Sequence, residues 1–158
     1  MIEDLRAFIE KASKDLDAGC LTNEQIHSMV LELCEMSRSD ERALESHLVR
    51  LYQHMLKYAY QKDHQSGSWI CTIREQSDQI SRFVKDKTLV QRVFSDLSSI
   101  YNRAKRYASV ETNLPLQTFP TALPDFWSSF EKVSDIDFIE DFLRSNAYSQ
   151  EAKKYLYM

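Results

Sequence analysis

The stretch LESHLVRLYQHMLKYAYQKDHQSGSWICTIREQSDQISRFV, residues 44–84, decides the fold. Leu44, Leu48, Leu51, Met55 and Tyr58 recur at intervals of four and three. That spacing lays one apolar seam along a helix and suits an antiparallel neighbour. Asp63–Gly67 interrupts the pattern, with Gly67 permitting a turn and Ser68 available as a cap. Trp69, Ile73, Ile80, Phe83 and Val84 then resume a helical stripe, with Gln76 in its seam. The expectation is a long antiparallel hairpin of two helices.

Helical periodicity extends outward from this hairpin in both directions. Ile2, Leu5, Phe8, Ile9, Ala12 and Leu16 form a stripe over residues 2–17, and Gly19 sits where a left-handed cap is wanted. Thr22-Asn23-Glu24-Gln25 is a capping box opening a second helix, with Ile26, Met29, Val30 and Leu33 as its stripe. Ser37 or Ser39 is expected to end that helix and cap the one carrying the leucine seam. After a break at Asp86–Thr88, Thr88-Leu89-Val90-Gln91 reads as another capping box. It opens a helix carrying Leu89, Val93, Leu97, Ile100, Ala104 and Tyr107. Residues 111–124 hold all three prolines (Pro115, Pro120 and Pro124) and read as extended. Short helices follow, one capped at Ser134 or Asp135 and one capped at Ser149. The fold class is therefore all-α: about five main helices, the long hairpin, and short C-terminal helices.

Composition supports this and excludes several chemistries. The 158 residues include 2 glycines, Gly19 and Gly67, where average usage of roughly 7% would give about 11. Glycine-rich phosphate loops, dinucleotide-binding turns and hairpin-rich β folds need more. No apolar run approaches a membrane span, and the acidic, amphipathic N-terminus does not read as a signal peptide. Cys20, Cys34 and Cys71 are odd in number and lack C-x-x-C spacing, which fits a reducing cytoplasm rather than a disulfide framework. Of the four histidines only His27 has Glu three residues before it, at Glu24, so no paired Glu-x-x-His metal site is expected. No cofactor is expected either. Net charge is −4, unevenly spread: residues 38–107 hold 13 Lys and Arg against 8 Asp and Glu, whereas residues 1–37 hold 3 against 8.

The stretch from Gly19 to Ile80 resembles the bacterial family known as domain of unknown function 29. The residues that carry the resemblance are Gly19, Glu35-Met36-Ser37-Arg38-Ser39, Leu44, Ser46, His54-Met55-Leu56-Lys57-Tyr58, Gln61, Ser68-Trp69, Thr72-Ile73 and Gln76. The later ETNLPLQTFP, residues 111–120, resembles the family's Glu-Thr-Gly-Leu-Pro…Phe-Pro stretch. Tyr58 stands where the family has Trp, and Asn113 where it has Gly. The resemblance covers about residues 5–130. It divides the chain into a bundle domain, 1–131, and a C-terminal helical extension, 132–158. It implies an all-helical bacterial protein and no particular activity.

Two constellations are the candidates for chemistry. Arg42 and His47 match the Arg-x4-His spacing that resembles the signature of HEPN ribonucleases, and they lie in the basic middle of the chain. Five residues put them about 140° apart on an ideal helix, so the plain alternative is a solvated helix face. His54, Lys57, Thr72 and Gln76 form the second set, a ligand pocket or a satisfied polar pair across the hairpin. His54 is expected level with Ile73, Gln76 or Ser77. The functional expectation is a non-catalytic protein–protein interaction module, a regulatory or neutralising partner. The alternative is a nucleic-acid binder or ribonuclease using Arg42 and His47. Ile136, Phe138, Ile139, Phe142 and Leu143, with Tyr148, Tyr155, Leu156, Tyr157 and Met158, make the extension apolar enough to dock on the bundle or on a protein partner or second copy. Removing residues 146–158 is expected to leave the bundle folded.

Overall fold

A computed structural model describes residues 2–157, with side chains from residue 6 onward. Ile2 and Leu5 of the first stripe and Met158 of the last therefore lie outside the described side chains. Eight α-helices follow in order: α1 Ile2–Asp17, α2 Asn23–Tyr60, α3 Gly67–Ser81, α4 Lys87–Phe94, α5 Leu97–Thr112, α6 Phe130–Val133, α7 Ile136–Ser145 and α8 Gln150–Leu156. Single 3-10 turns occupy Lys62–His64, Leu116–Thr118 and Asp125–Trp127. No strand occurs among the described residues, so the chain is all-α.

The chain forms two compact units, residues 1–43 and 44–158, with α2 contributing to both. In the first unit, Gly19 takes a φ of 67° and closes α1. Cys20 N–H returns to the Asp15 carbonyl and Gly19 N–H to Leu16, satisfying carbonyls the helix leaves open. The capping box forms as expected: Thr22 N–H donates to Gln25 Oε1 at 2.8 Å, and Gln25 N–H to Thr22 Oγ1 at 3.2 Å.

No break occurs at Ser37 or Ser39; α2 runs through both. Serine in a helix costs only a fraction of a kcal/mol, and no glycine or proline interrupts residues 23–60. The expected single helix from Leu89 to Tyr107 is instead two, α4 and α5, separated at Ser95–Asp96. Local turn bonds close that gap, with Ser95 Oγ donating to the Arg92 carbonyl. Two caps also move. Ser66, not Ser68, caps α3, accepting from Trp69 N–H. Asp86, not Thr88, caps α4, its carboxylate accepting from Leu89 N–H; Asp is at least as good a cap as Thr.

The second unit has a continuous core. Leu44, Leu48, Leu51, Met55 and Tyr58 of α2 are fully buried, as are Ile73 and Ile80 of α3. Each such aliphatic side chain stabilises the fold by about 1.5–3 kcal/mol. Three buried tyrosines fasten the irregular segments by donating to backbone carbonyls: Tyr52 to Trp127, Tyr58 to Leu143 and Tyr101 to Pro120, at 2.7–2.8 Å. Tyr52 also stacks on Trp127 with 7° between ring planes. Tyr58 thus combines a buried aromatic ring with a donor that a backbone carbonyl satisfies.

The C-terminal helices belong to this unit. Ile139, Phe142 and Leu143 of α7 and Ala152 and Leu156 of α8 are buried. Arg74 of α3 grips Glu140 of α7 through two bonds, 2.6 and 3.0 Å. Gln65, between α2 and α3, is buried and uses its whole carboxamide. Its NH2 donates to the carbonyls of Tyr58 and Asn146, and its Oε1 accepts from the N–H groups of Tyr148 and Ser149. Gly67 does not provide a turn through an unusual backbone angle. The ring of Tyr155 on α8 packs over it, 2.7 Å from where a Cβ would sit, so a larger residue here would displace that exposed ring.

Candidate functional site

One groove in the second unit gathers charged and hydrogen-bonding side chains from two helices. Ser46, Val49, Arg50, Gln53 and His54 line it from α2, and Arg103, Tyr107 and Glu111 from α5. Spacings of three and four residues put each set on one helix face. The groove has a volume of about 570 Å³, within the range of small-molecule sites.

Its electrostatics follow from its pairs. Lys57 Nζ donates to Glu111 Oε2 at 2.6 Å while lying 4.6 Å from the centre of the Trp69 ring. Burial pushes the Glu111 carboxyl up, but the bond and charge of Lys57, with help from Gln53 and His54, outweigh it and hold the carboxyl below its usual range. His54 donates Nδ1–H to the Arg50 carbonyl at 2.9 Å, leaving Nε2 as an acceptor. Burial, chiefly, and the charges of Lys57 and Arg50 hold the imidazole below its ordinary pKa, against the pull of that bond and of Glu111. His54 is thus a neutral base at pH 7. Arg103 faces Glu45 across 3.7 Å, a loose pair. Arg50 is exposed and enters no ion pair among the described residues.

The residues expected to act together are distributed differently. Arg42 binds Glu35 at 3.0 Å on an exposed face of the first unit. His47, in the second unit, donates Nδ1–H to Gln76 Oε1 at 2.7 Å. Gln76 is thus the partner of His47, where His54 was expected. The His54 ring is held back along its own helix by the Arg50 carbonyl and lines the α5 groove instead. Thr72 is half-buried on α3. Of the expected ligand set, His54 and Lys57 meet around Glu111, whereas Gln76 is engaged by His47. Arg50, Arg103, Tyr107 and Glu111 were missed. The polar stripe 46/50/53/54/57 was visible in the sequence, but its pairing with α5 was not.

A second cleft lies within the first unit, about 610 Å³, between Phe8, Lys11, Ala12 and Asp15 of α1, Leu21 of the connection, and Gln25, Ser28 and Met29 at the start of α2. Among the described residues, no group of His, Cys, Asp and Glu is arranged to hold a metal ion, and no helix is long and apolar enough to cross a membrane.

The class these observations define is an all-helical protein of two compact units with an open polar groove. Residues 2–139 match the family described as Domain of unknown function DUF29, and the chain belongs to that family. No curated protein and no solved structure matches the chain.

Proposed function

We propose that the chain is a non-catalytic protein-interaction module whose docking element is the first unit, and that its occupant is a basic amphipathic helix of another protein. The observation that carries this reading is the exposure of the first unit's apolar stripes. Ile9 is 48% exposed, Leu16 53%, Ile26 37% and Val30 50%. Ala12 is the one buried apolar side chain among the described residues of that unit. Two helices that bury so little of their apolar faces are marginal alone and gain from a third. Charge selects the occupant: residues 1–37 carry 8 Asp and Glu against 3 Lys and Arg. The same segment of a second copy would bring the same excess of negative charge, whereas a lysine-flanked helix complements it. Such capture suits a regulatory or neutralising partner. The extension is the weaker candidate, because its exposed Ile136, Tyr148, Tyr155 and Tyr157 are scattered and its buried residues already pack on its own chain. The three free thiols, all exposed, support a cytoplasmic setting. The Lys57–Trp69 and His47–Gln76 contacts support the antiparallel pairing of α2 with α3, since the α3 number rises as the α2 number falls.

The test uses two synthetic helical peptides with the same Leu stripe, one flanked by lysines and one by glutamates. The full chain is expected to bind the lysine peptide with micromolar Kd, and Ile26→Asp with Val30→Asp to weaken binding at least tenfold. Equal binding of both peptides, or binding indifferent to those substitutions, would overturn the proposal. So would a doubled mass in sedimentation, which would make a second copy the occupant.

A further inference from the structure

We propose that the α2–α5 groove is a binding site for a small phosphate monoester, with Arg50 and Arg103 holding the phosphate, His54 beside it, and the ligand's organic part lying over Tyr107. This site is separate from the first unit and stands independently of the interaction reading. Four observations lead to it. First, the positive charge in the groove is available. Arg50 has no ion pair among the described residues, and Arg103 reaches Glu45 only at 3.7 Å, beyond a good N–H···O bond. Second, the carboxylate in the groove is already committed: Glu111 is bound by Lys57 at 2.6 Å and by Gln53. Third, the two guanidiniums come from different helices and so approach from different walls. A planar carboxylate satisfies one arginine fork; a phosphate offers three terminal oxygens in three directions and can satisfy both. Fourth, the volume of about 570 Å³ exceeds what a bare anion fills, and Tyr107, 50% exposed, supplies a ring surface for an organic group.

Glu45 and Glu111 lie beside the arginines, on the same two helices. They suit a single phosphate and oppose a polyanion, which needs an uninterrupted row of cations. His54 completes the chemistry. It faces Lys57 and Arg50 from its own helix and Arg103, Tyr107 and Glu111 from α5, and it is neutral while the groove is empty. A dianion arriving beside it favours the imidazolium, so the ligand is taken up together with a proton, and Nε2–H becomes a further donor.

Calorimetry on the full chain at low salt tests this with inorganic phosphate, adenosine 5′-monophosphate, adenosine and acetate. Phosphate is expected to bind, the nucleotide to bind at least tenfold tighter, and adenosine and acetate to give no measurable heat. Arg50→Ala and Arg103→Ala change groups on or near the surface. Each is expected to weaken both phosphate ligands at least tenfold, while Tyr107→Ser removes only the nucleotide's advantage. The His54 ring protons, followed by NMR, should titrate at higher pH with sulfate present than without it. The proposal is overturned if phosphate fails to bind, if acetate or adenosine binds as well as the nucleotide, or if the arginine variants bind undiminished. It is also overturned if sulfate leaves the His54 titration in place.

Discussion

Gln65 shows how much one side chain can hold. All four of its carboxamide bonding positions are used, and they tie the turn after α2 to the connection between α7 and α8. Truncation removes those four bonds and leaves buried backbone groups without partners, each costing about 1–3 kcal/mol. Gln65→Ala is therefore expected to lower stability by roughly 3 to 5 kcal/mol in urea unfolding. Gln65→Glu is expected to be comparably damaging, because a carboxylate cannot donate to the Tyr58 and Asn146 carbonyls. Nothing in the sequence marked this residue: Asp-His-Gln-Ser-Gly reads as a polar turn, and burial there depends on partners more than 80 residues away. The tyrosines were legible as core but not as fasteners. Burial raises all three, Tyr58 and Tyr101 to about 12 and Tyr52 further. A phenol whose folded pKa exceeds its unfolded value stabilises the fold below pH about 10, and that contribution is lost as pH rises through the folded value. Absorbance at 295 nm is expected to show these tyrosines ionising together with unfolding, above pH about 10.

Among elements, those with strong local signals agree with the sequence. The Gly19 cap, the Thr22–Gln25 box and the caps at Asp135 and Ser149 all form. The misplaced boundaries are those where serine or threonine offered a cap that the chain had no need of, as at Ser37, Ser39, Ser68 and Thr88. Asn113, where the resemblance suggests Gly, has a structural explanation. It takes φ 57° and ψ 27° at the end of α5, the left-handed conformation that glycine accepts without strain. Asn113→Gly is expected to be neutral or stabilising by up to about 1 kcal/mol, and Asn113→Val to cost roughly 1–2 kcal/mol or more, both readable from thermal melts. For α8 the structure adds a stability cost to the sequence expectation that the bundle folds without residues 146–158. Deleting residues 150–158 removes the buried Ala152 and Leu156 and the Glu151 carboxylate that accepts from Gly67 N–H. Urea midpoints are expected to fall by the equivalent of roughly 3 kcal/mol or more.

At the scale of the molecule, the helical class, the family and the acidic first segment were legible, because periodicity and composition are local sums. The site was not, because it depends on which face of α5 meets α2. His54 sets one limit on the conditions the fold tolerates. Its folded pKa lies below its unfolded value near 6.5, so the unfolded chain takes the proton first. The stability it contributes is complete above pH about 6.5 and is lost as pH falls through the folded value. Urea titrations at pH 7.5 and 5.5 are expected to show this loss, and His54→Gln to shrink it. The Gln65 junction also has a consequence in time. Its three partners in the α7–α8 connection follow it in the chain by 81 to 84 residues, and a ribosome adding about 5–20 residues per second needs about 4 to 17 s to reach them. During that interval the leucine-rich arm of α2 emerges from the exit tunnel with no α7–α8 connection yet made to cover it. The second unit therefore cannot complete this junction until residues 146–149 have left the ribosome, and the emerging arm is a natural client for a nascent-chain chaperone.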